Sequence, residues 1–216
     1  MMRPLSIYPR MGNSPSDSAD LRGNAPDHAG AVLLLVDVIN DLDFPQNEYL
    51  VSRCMPLARR IRELKDRCRE AGIPVIYGND NRGKWRSDLE TVINQAQREG
   101  APGRDFVRTL VPGPDDYVAL KPKHSVFLGT PLDLLLESIG AHTIILAGLT
   151  TNACVLVSAG ELYVRGFRLF VPRDCVEALT PDVQGPALKL MEESYKAVTN
   201  PATELDLRSL VDRPAE

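Results

Sequence analysis

Residues Thr143 to Val157 read TIILAGLTTNACVLV, an apolar strand that runs into a small-residue turn and then into a helix. Thr143, Ile144, Ile145 and Leu146 form the short β-branched and apolar run that a buried strand needs, and Gly148 to Asn152 carry turn and capping chemistry. Thr151 or Asn152 is expected to cap the helix. Its first-turn N–H groups and positive dipole end would then face Cys154 and favour thiolate over thiol. A strand end that delivers a nucleophile to the mouth of a helix implies a parallel sheet with its chemistry at the carboxyl edge.

Working outward, the same alternation of short apolar runs and amphipathic stretches recurs from Ala31 onward. Strands are expected at 31–37, 74–79, 116–120, 143–147 and 168–171, with a sixth near 196–199. Between them Leu57, Ile61, Leu64 and Cys68 recur at helical spacing, while Arg59, Arg60, Glu63, Lys65, Asp66 and Arg67 fall largely off that stripe. Further helices are expected at 87–98, 131–138, 152–165 and 182–195, and Gly72, Gly140 and Gly166 stand where left-handed residues stop helices. Alternating strands and helices predict an α/β fold, a single-domain three-layer α/β/α arrangement around a mainly parallel, Rossmann-like sheet of five or six strands. Residues 1–29 are rich in Ser, Pro, Gly, Asn and Asp and read as a flexible leader, with one domain over 30–216.

The 216-residue chain is 44% hydrophobic and 25% charged, with a formal net charge of -4. That is enough to bury one full core. The acidic balance and the lack of interleaved basic and aromatic residues argue against nucleic acid as a partner. Apolar runs such as Ala31 to Val36 are too short to cross a bilayer, and the N-terminus has no signal-like apolar segment. Cys54, Cys68, Cys154 and Cys175 have no paired spacing, so a disulfide framework or zinc knuckle is not expected and a reducing cytoplasm fits.

Three polar residues end or follow expected strands: Asp37 after VLLLV, Lys121 within VALKPKHSVF, and Cys154. In an open parallel sheet ligands lie beyond the carboxyl ends of the strands. A carboxylate there can take a thiol proton, and an ammonium can hold that carboxylate ionised. Each residue also has an ordinary reading: Asp37 as a turn residue, Lys121 as a solvated charge, Cys154 as a small core hydrophobe. Cys175 follows a strand too, but Asp174 beside it would raise its thiol pKa and no comparable turn presents it. Cys68 belongs to a helical stripe, and Cys54 is ambiguous.

The segments VDVINDLDF, LKPKHSVFLGTPLDLLL, GLTTNACV and VPRDCVEA, in that order between Ala31 and Tyr195, resemble the motifs of the isochorismatase-like cysteine hydrolases. The resemblance implies an Asp37–Lys121–Cys154 triad, with Lys121 and not Lys123 at the family's place in K-P-x-x-S-x-F. It further implies a cis peptide bond at Leu149–Thr150 and an oxyanion hole built from the N–H groups of Thr150 and Cys154. Nicotinamidases in this family hold a metal through an aspartate and two histidines, but the corresponding loop here, GNDNRGKWRSD, has no histidine. No metal and no cofactor are therefore expected, and His28, His124 and His142 read as surface or core residues. Ile39 stands where many relatives have glutamine. Asn40 and Asp41 read as turn residues, while Phe44, Asn81 and Trp85 are placed to line a substrate pocket.

The expected function is hydrolysis of an amide, ureide or carbamoyl carbon–nitrogen bond in a small molecule through a cysteine thioester. Vinyl-ether hydrolysis of the isochorismatase type and a non-catalytic, metabolite-binding role are the alternatives. The resemblance also suggests a homo-oligomer, a dimer or tetramer.

Overall fold

A computed structural model of the protein describes residues 27–84 and 86–211. Strand β1 (Ala31–Val36) is buried along its whole length, as a strand covered on both faces must be. Its neighbours are β4 (Thr143–Leu149), paired in parallel from Ala31 opposite Thr143 to Val36 opposite Gly148, and β2 (Val75–Asp80), paired from Leu33 opposite Val75. Adding β3 (Tyr117–Lys121) beside β2 and β5 (Arg168–Phe170) beside β4 gives the order β3-β2-β1-β4-β5. Where β5 stops opposite Ile145, the two-residue β6 (Val176–Glu177) takes over against Gly148 and Leu149. Every pairing is parallel, and the strand order reverses between β1 and β4, where a crevice opens at the carboxyl edge.

Period-two alternation sorts the strands' side chains to two cores. Leu33, Leu35, Ile145 and Ala147 face α1 (Glu48–Glu70) and α3 (Arg104–Leu110), meeting Ile61, Leu64 and Phe106. Val32, Leu34, Ile144 and Leu146 face α4 (Leu132–Ile139), α5 (Leu156–Val164) and α6 (Pro181–Tyr195), meeting Leu136, Leu162 and Met191. The result is the expected three-layer α/β/α arrangement with a mainly parallel central sheet. Helices α2 (Leu89–Ala96) and α7 (Leu207–Val211) are the remaining α-helices among the described residues, and Ala202–Glu204 forms a short 3-10 turn.

One glycine fixes how closely β1 and β4 approach. Gly148 has φ +121°, and a Cβ there would stand 2.0 Å from the Val36 carbonyl oxygen. No other residue fits without moving the end of β1, from which Asp37 projects.

Several local expectations are corrected. The sixth strand is Val176–Glu177, and the segment near 196–199 contributes only an isolated bridge from Val198 to Phe170. Two residues are too few to show a period in sequence. Helix α3 was unforeseen because it is seven residues long and has no side-chain cap at Gly103. Lys65, placed off the apolar stripe of α1, is 2% exposed. The helix after β4 is capped by neither Thr151 nor Asn152: its N-cap is Thr150, without a side-chain bond, and the Asn152 side chain accepts the Leu179 N–H at 3.3 Å. Residues 1–26 of the expected leader lie outside the described residues. Of the leader's last three, Asp27 accepts a hydrogen bond from the Tyr117 hydroxyl, and the buried Ala29 donates its N–H to Ile139 O at 3.1 Å.

Candidate active site

Asp37 follows the last residue of β1 and turns the chain with φ 52°, a left-handed conformation that an aspartate tolerates better than most residues. The turn aims its carboxylate across the sheet edge. Oδ1 accepts the Asp80 N–H at 2.6 Å and Oδ2 accepts the Lys121 ammonium at 2.8 Å. Because β2 lies between β3 and β1, Lys121 must reach past a whole strand, which its long stem allows. The ammonium also donates to Lys123 O at 3.1 Å and stands 3.9 Å from Asp80 Oδ2, with no exposed side-chain surface.

Cys154 sits in the wide π-helical turn Thr151–Val155 that opens the helix leading into α5. The Thr150 carbonyl accepts the N–H groups of Ala153 (3.0 Å) and Val155 (3.2 Å), passing over that of Cys154 between them. The Leu149–Thr150 peptide bond is cis. Asp37 and Lys121 both lie close enough to the sulfur to act on its ionisation. Three side chains far apart in sequence thus meet at the carboxyl edge, where the strand order reverses.

The electrostatics differ from the sequence expectation of a helix-stabilised thiolate. Burial, reinforced by the Asp37 carboxylate and only partly opposed by Lys121, pushes the Cys154 thiol up to about 12. The helix dipole is a half-charge effect and loses to desolvation and a full negative neighbour. Burial also raises the Asp37 carboxyl above its ordinary range, against the pull of Lys121, the thiol and the Asp80 N–H. The resting pair is therefore a neutral thiol beside a carboxylate whose proton affinity has been increased.

His124, expected as an ordinary surface or core residue, has an exposed ring, but its Nδ1 lies 3.3 Å from Cys154 Sγ. Asn79 was also missed. It is buried, and its amide clasps Ile39 by accepting the Ile39 N–H at 2.8 Å and donating to Ile39 O at 3.1 Å, which fixes the turn that follows Asp37. The Ile39 side chain itself packs into the core. Asn40 and Asp41 make the turn hydrogen bonds expected of them, to the N–H groups of Leu42 (2.9 Å) and Asp43 (3.2 Å). Asp41 in addition clamps Arg82 and Arg98. Burial would raise the Asp41 carboxyl, but the two guanidinium groups outweigh it and hold it below the usual range.

Of the pocket candidates, Phe44 is half-buried and packs against the core. Asn81 is buried. Its N–H bonds Lys121 O at 2.9 Å, its side chain accepts the Gly83 N–H at 2.8 Å, and it lines a cleft with Ile39, Arg82, Lys84 and Thr91. Trp85 lies outside the described residues. Cys175 and Cys68 are buried, and burial pushes both thiols up, Cys68 to about 12; for Cys175, Asp174 adds to the effect. Among the described residues no group of three or more His, Cys, Asp or Glu side chains is placed to hold a metal ion.

The chain as a whole is similar to known proteins. The family model of the isochorismatase domain matches residues 31–203. An uncharacterized isochorismatase family protein, YaaI of Bacillus subtilis (strain 168), is 33% identical over 164 residues, covering 76% of this chain and 90% of that protein. The ureidoacrylate amidohydrolase RutB of Enterobacter sp. (strain 638) is 34% identical over 158 residues, covering 61% of this chain and 67% of its own length. Among solved structures, N-carbamoylsarcosine amidase from Thermoplasma acidophilum superposes with a TM-score of 0.62 at 26% identity, covering 82% of this chain and 98% of that one.

Proposed function

The chain belongs to the isochorismatase family, and from that premise we propose that it is a cysteine amidohydrolase, cleaving an amide, ureide or carbamoyl carbon–nitrogen bond of a small molecule through a thioester. The observation that carries this reading is the convergence of Asp37, Lys121 and Cys154 at one edge of the sheet, with Lys121 Nζ 2.8 Å from the carboxylate. Relatives named for ureidoacrylate and N-carbamoylsarcosine hydrolysis support the bond class.

Asp37, ionised and held by Lys121, takes the thiol proton as sulfur attacks the substrate carbonyl carbon. A thiol whose pKa is about 12 is a poor nucleophile until that proton leaves, so base and attack act together. The N–H groups of Thr150 and Cys154 receive the oxyanion; in other enzymes one such donor contributes roughly 3–4 kcal/mol. Collapse expels the nitrogen with a proton, and water then hydrolyses the thioester and frees the sulfur. Phe44 and Asn81 line the pocket. Lys121 does its work by charge: without it, a buried carboxylate would hold its proton and could not act as base.

A screen of small primary amides, ureides and N-carbamoyl compounds for ammonia release tests the reading, run with wild type and Cys154→Ala in parallel. Release by wild type alone is the expected result. Ammonia-free formation of pyruvate from isochorismate would point to vinyl-ether hydrolysis. Retained turnover in the verified Cys154→Ala variant would end the cysteine mechanism.

We assign the protein to the cytoplasm as a homo-oligomer. Four free cysteines support a reducing compartment, and exposed Val157, Tyr163 and Val164 on α5 offer an apolar face to a second copy. Among the described residues no helix is long and apolar enough to cross a membrane. Light scattering after size exclusion measures the subunit number. The leader (1–29) and hydrolase domain (30–216) are proposed as the chain's two parts.

A further inference from the structure

Besides Asp37 and Lys121, a third group meets the sulfur, and the reading above gives it no task. His124 Nδ1 lies 3.3 Å from Cys154 Sγ, with the ring exposed at the outer side of the site. Exposed side chains usually sample several positions, but the backbone that carries this one is pinned on both sides. Immediately before it, Lys123 O accepts the Lys121 ammonium at 3.1 Å, the same ammonium that holds Asp37. Just after it, Ser125 and Val126 are buried, the Val126 N–H donates to Ser158 Oγ of α5 at 3.3 Å, and Val126 fills the space a Cβ on Gly78 would occupy. The imidazole is thus a solvent-side group on a fixed mount, aimed at the reacting atom.

Among the described residues, the charged and titratable groups at this edge include Asp37, which follows β1, Asp80 from β2, Lys121 and Lys123 on the histidine's own segment, Cys154 from the helix, and Glu177 of β6 beside the end of β4. Asp37 and Lys121 are buried, and both Asp37 oxygens already accept hydrogen bonds from protein groups. The nitrogen that leaves a tetrahedral adduct is two bonds from sulfur, so a donor in contact with sulfur on the open side reaches it at hydrogen-bond distance.

We infer that His124 is a catalytic acid that protonates the leaving nitrogen of the substrate, an inference that rests on the cysteine amidohydrolase reading. In acylation the S–C bond forms as the thiol proton passes to Asp37. The C–N bond then breaks as the imidazolium Nδ1–H gives its proton to nitrogen, leaving a thioester, a neutral imidazole and a protonated Asp37. In deacylation water adds to the thioester carbonyl and gives its proton to Nδ1. The C–S bond breaks as sulfur recovers the proton held by Asp37. Imidazolium, carboxylate and thiol are all restored, and the sum is amide plus water to acid plus amine. Dividing acid and base between two groups lets Asp37 keep the proton that sulfur will need.

The test compares wild type, His124→Gln, His124→Gly and Cys154→Ala on an amide substrate from the ammonia-release screen and on the p-nitrophenyl ester of the same acyl group, whose leaving group needs no proton. His124→Gln is expected to lower kcat/KM for the amide by about 100-fold or more and for the ester by no more than about threefold. Added imidazole should restore amide turnover in His124→Gly, because the position is open to solvent, and iodoacetamide should alkylate Cys154 in His124→Gln at the wild-type rate. Equal losses on amide and ester, an undiminished amide rate, no rescue, or slowed alkylation would each overturn the acid role. Turnover surviving in Cys154→Ala would instead overturn the cysteine reading on which it rests.

Discussion

Among the described residues two lysine–aspartate pairs are buried, and their surroundings differ. Lys65 Nζ lies 2.6 Å from Asp116 Oδ2, both side chains 2% exposed, and further protein groups bond each partner. Asp116 also accepts from Arg69 at 2.8 Å and from the Gly113 N–H at 2.6 Å, while Lys65 donates to the Tyr77 hydroxyl at 2.6 Å, which passes its own hydrogen to Leu110 O at 2.8 Å. Burial lowers the Lys65 pKa even against the pull of Asp116, so the network holds a charge that solvent would keep more readily. The pair ties α1, β2, the end of α3 and the start of β3 into one body. Lys121–Asp37 is as well buried and almost as short, yet one side of it faces a half-buried thiol. A charge pair closed on all sides holds a fold together. One left open toward a nucleophile has proton affinity to spend on chemistry.

The contrast is sharpest in activity. Asp37→Asn keeps the shape of the Lys121 contact but removes the base, and it should lower kcat/KM by about 1,000-fold or more, near the upper end for general acid–base catalysis, with the folded circular-dichroism spectrum retained. In the wild type the base must be ionised. Activity is therefore present above the Asp37 pKa and lost as pH falls through it, and because burial raises that pKa, the acid limb of the kcat/KM profile should lie above the ordinary carboxylate range. A limb at or below that range would place the base elsewhere.

Asp116→Ala should do the reverse. It leaves the Lys65 ammonium buried without its partner, and urea unfolding should show a loss of about 3–5 kcal/mol, the range for breaking a buried pair from one side. At a temperature where the variant stays folded, kcat/KM should match wild type. A large loss of activity in folded Asp116→Ala would blur the division between the two pairs.

A third substitution couples fold and site. Gly148→Ala puts a methyl group 2.0 Å from Val36 O at a φ of +121°, so the end of β1 must shift. The expected cost is about 1–3 kcal/mol in stability, for a side chain in a sparsely allowed backbone region. Because Asp37 follows Val36, activity should drop as well, measured at the same fraction folded. A stable and fully active variant would show that strand spacing does not position the base.

The two pairs also differ in how well the sequence revealed them. Asp37, Lys121 and Cys154 each stand at or just beyond a strand end, and in a parallel sheet that position alone selects residues for attention, so three separate motifs pointed to one edge. Lys65 offered no such cue. Helical periodicity put it off the apolar stripe, because periodicity counts a lysine as polar and cannot know that Asp116, 51 residues away, will neutralise it and Tyr77 receive it. His124 escaped for the same reason: its partner is 30 residues distant, and one histidine between lysine and serine has no pattern to read. The thiolate expectation failed on magnitude, since a turn sequence reports a helix N-terminus but not the burial and adjacent carboxylate that outweigh it. Strands with full apolar runs were legible; β6, two residues long, and α3, seven residues without a cap, carry too few positions for a period to show.

The central claim is that Cys154, relieved of its proton by Asp37, becomes covalently acylated during turnover. Acid quench of wild type with a slowly hydrolysed substrate, followed by mass spectrometry of the Cys154 peptide, measures it directly. The expected result is the mass of the acyl group on that peptide in wild type and almost none in folded Asp37→Asn. Sustained turnover with an unmodified Cys154 peptide at every quench time, or equal adduct in the two proteins, would contradict it.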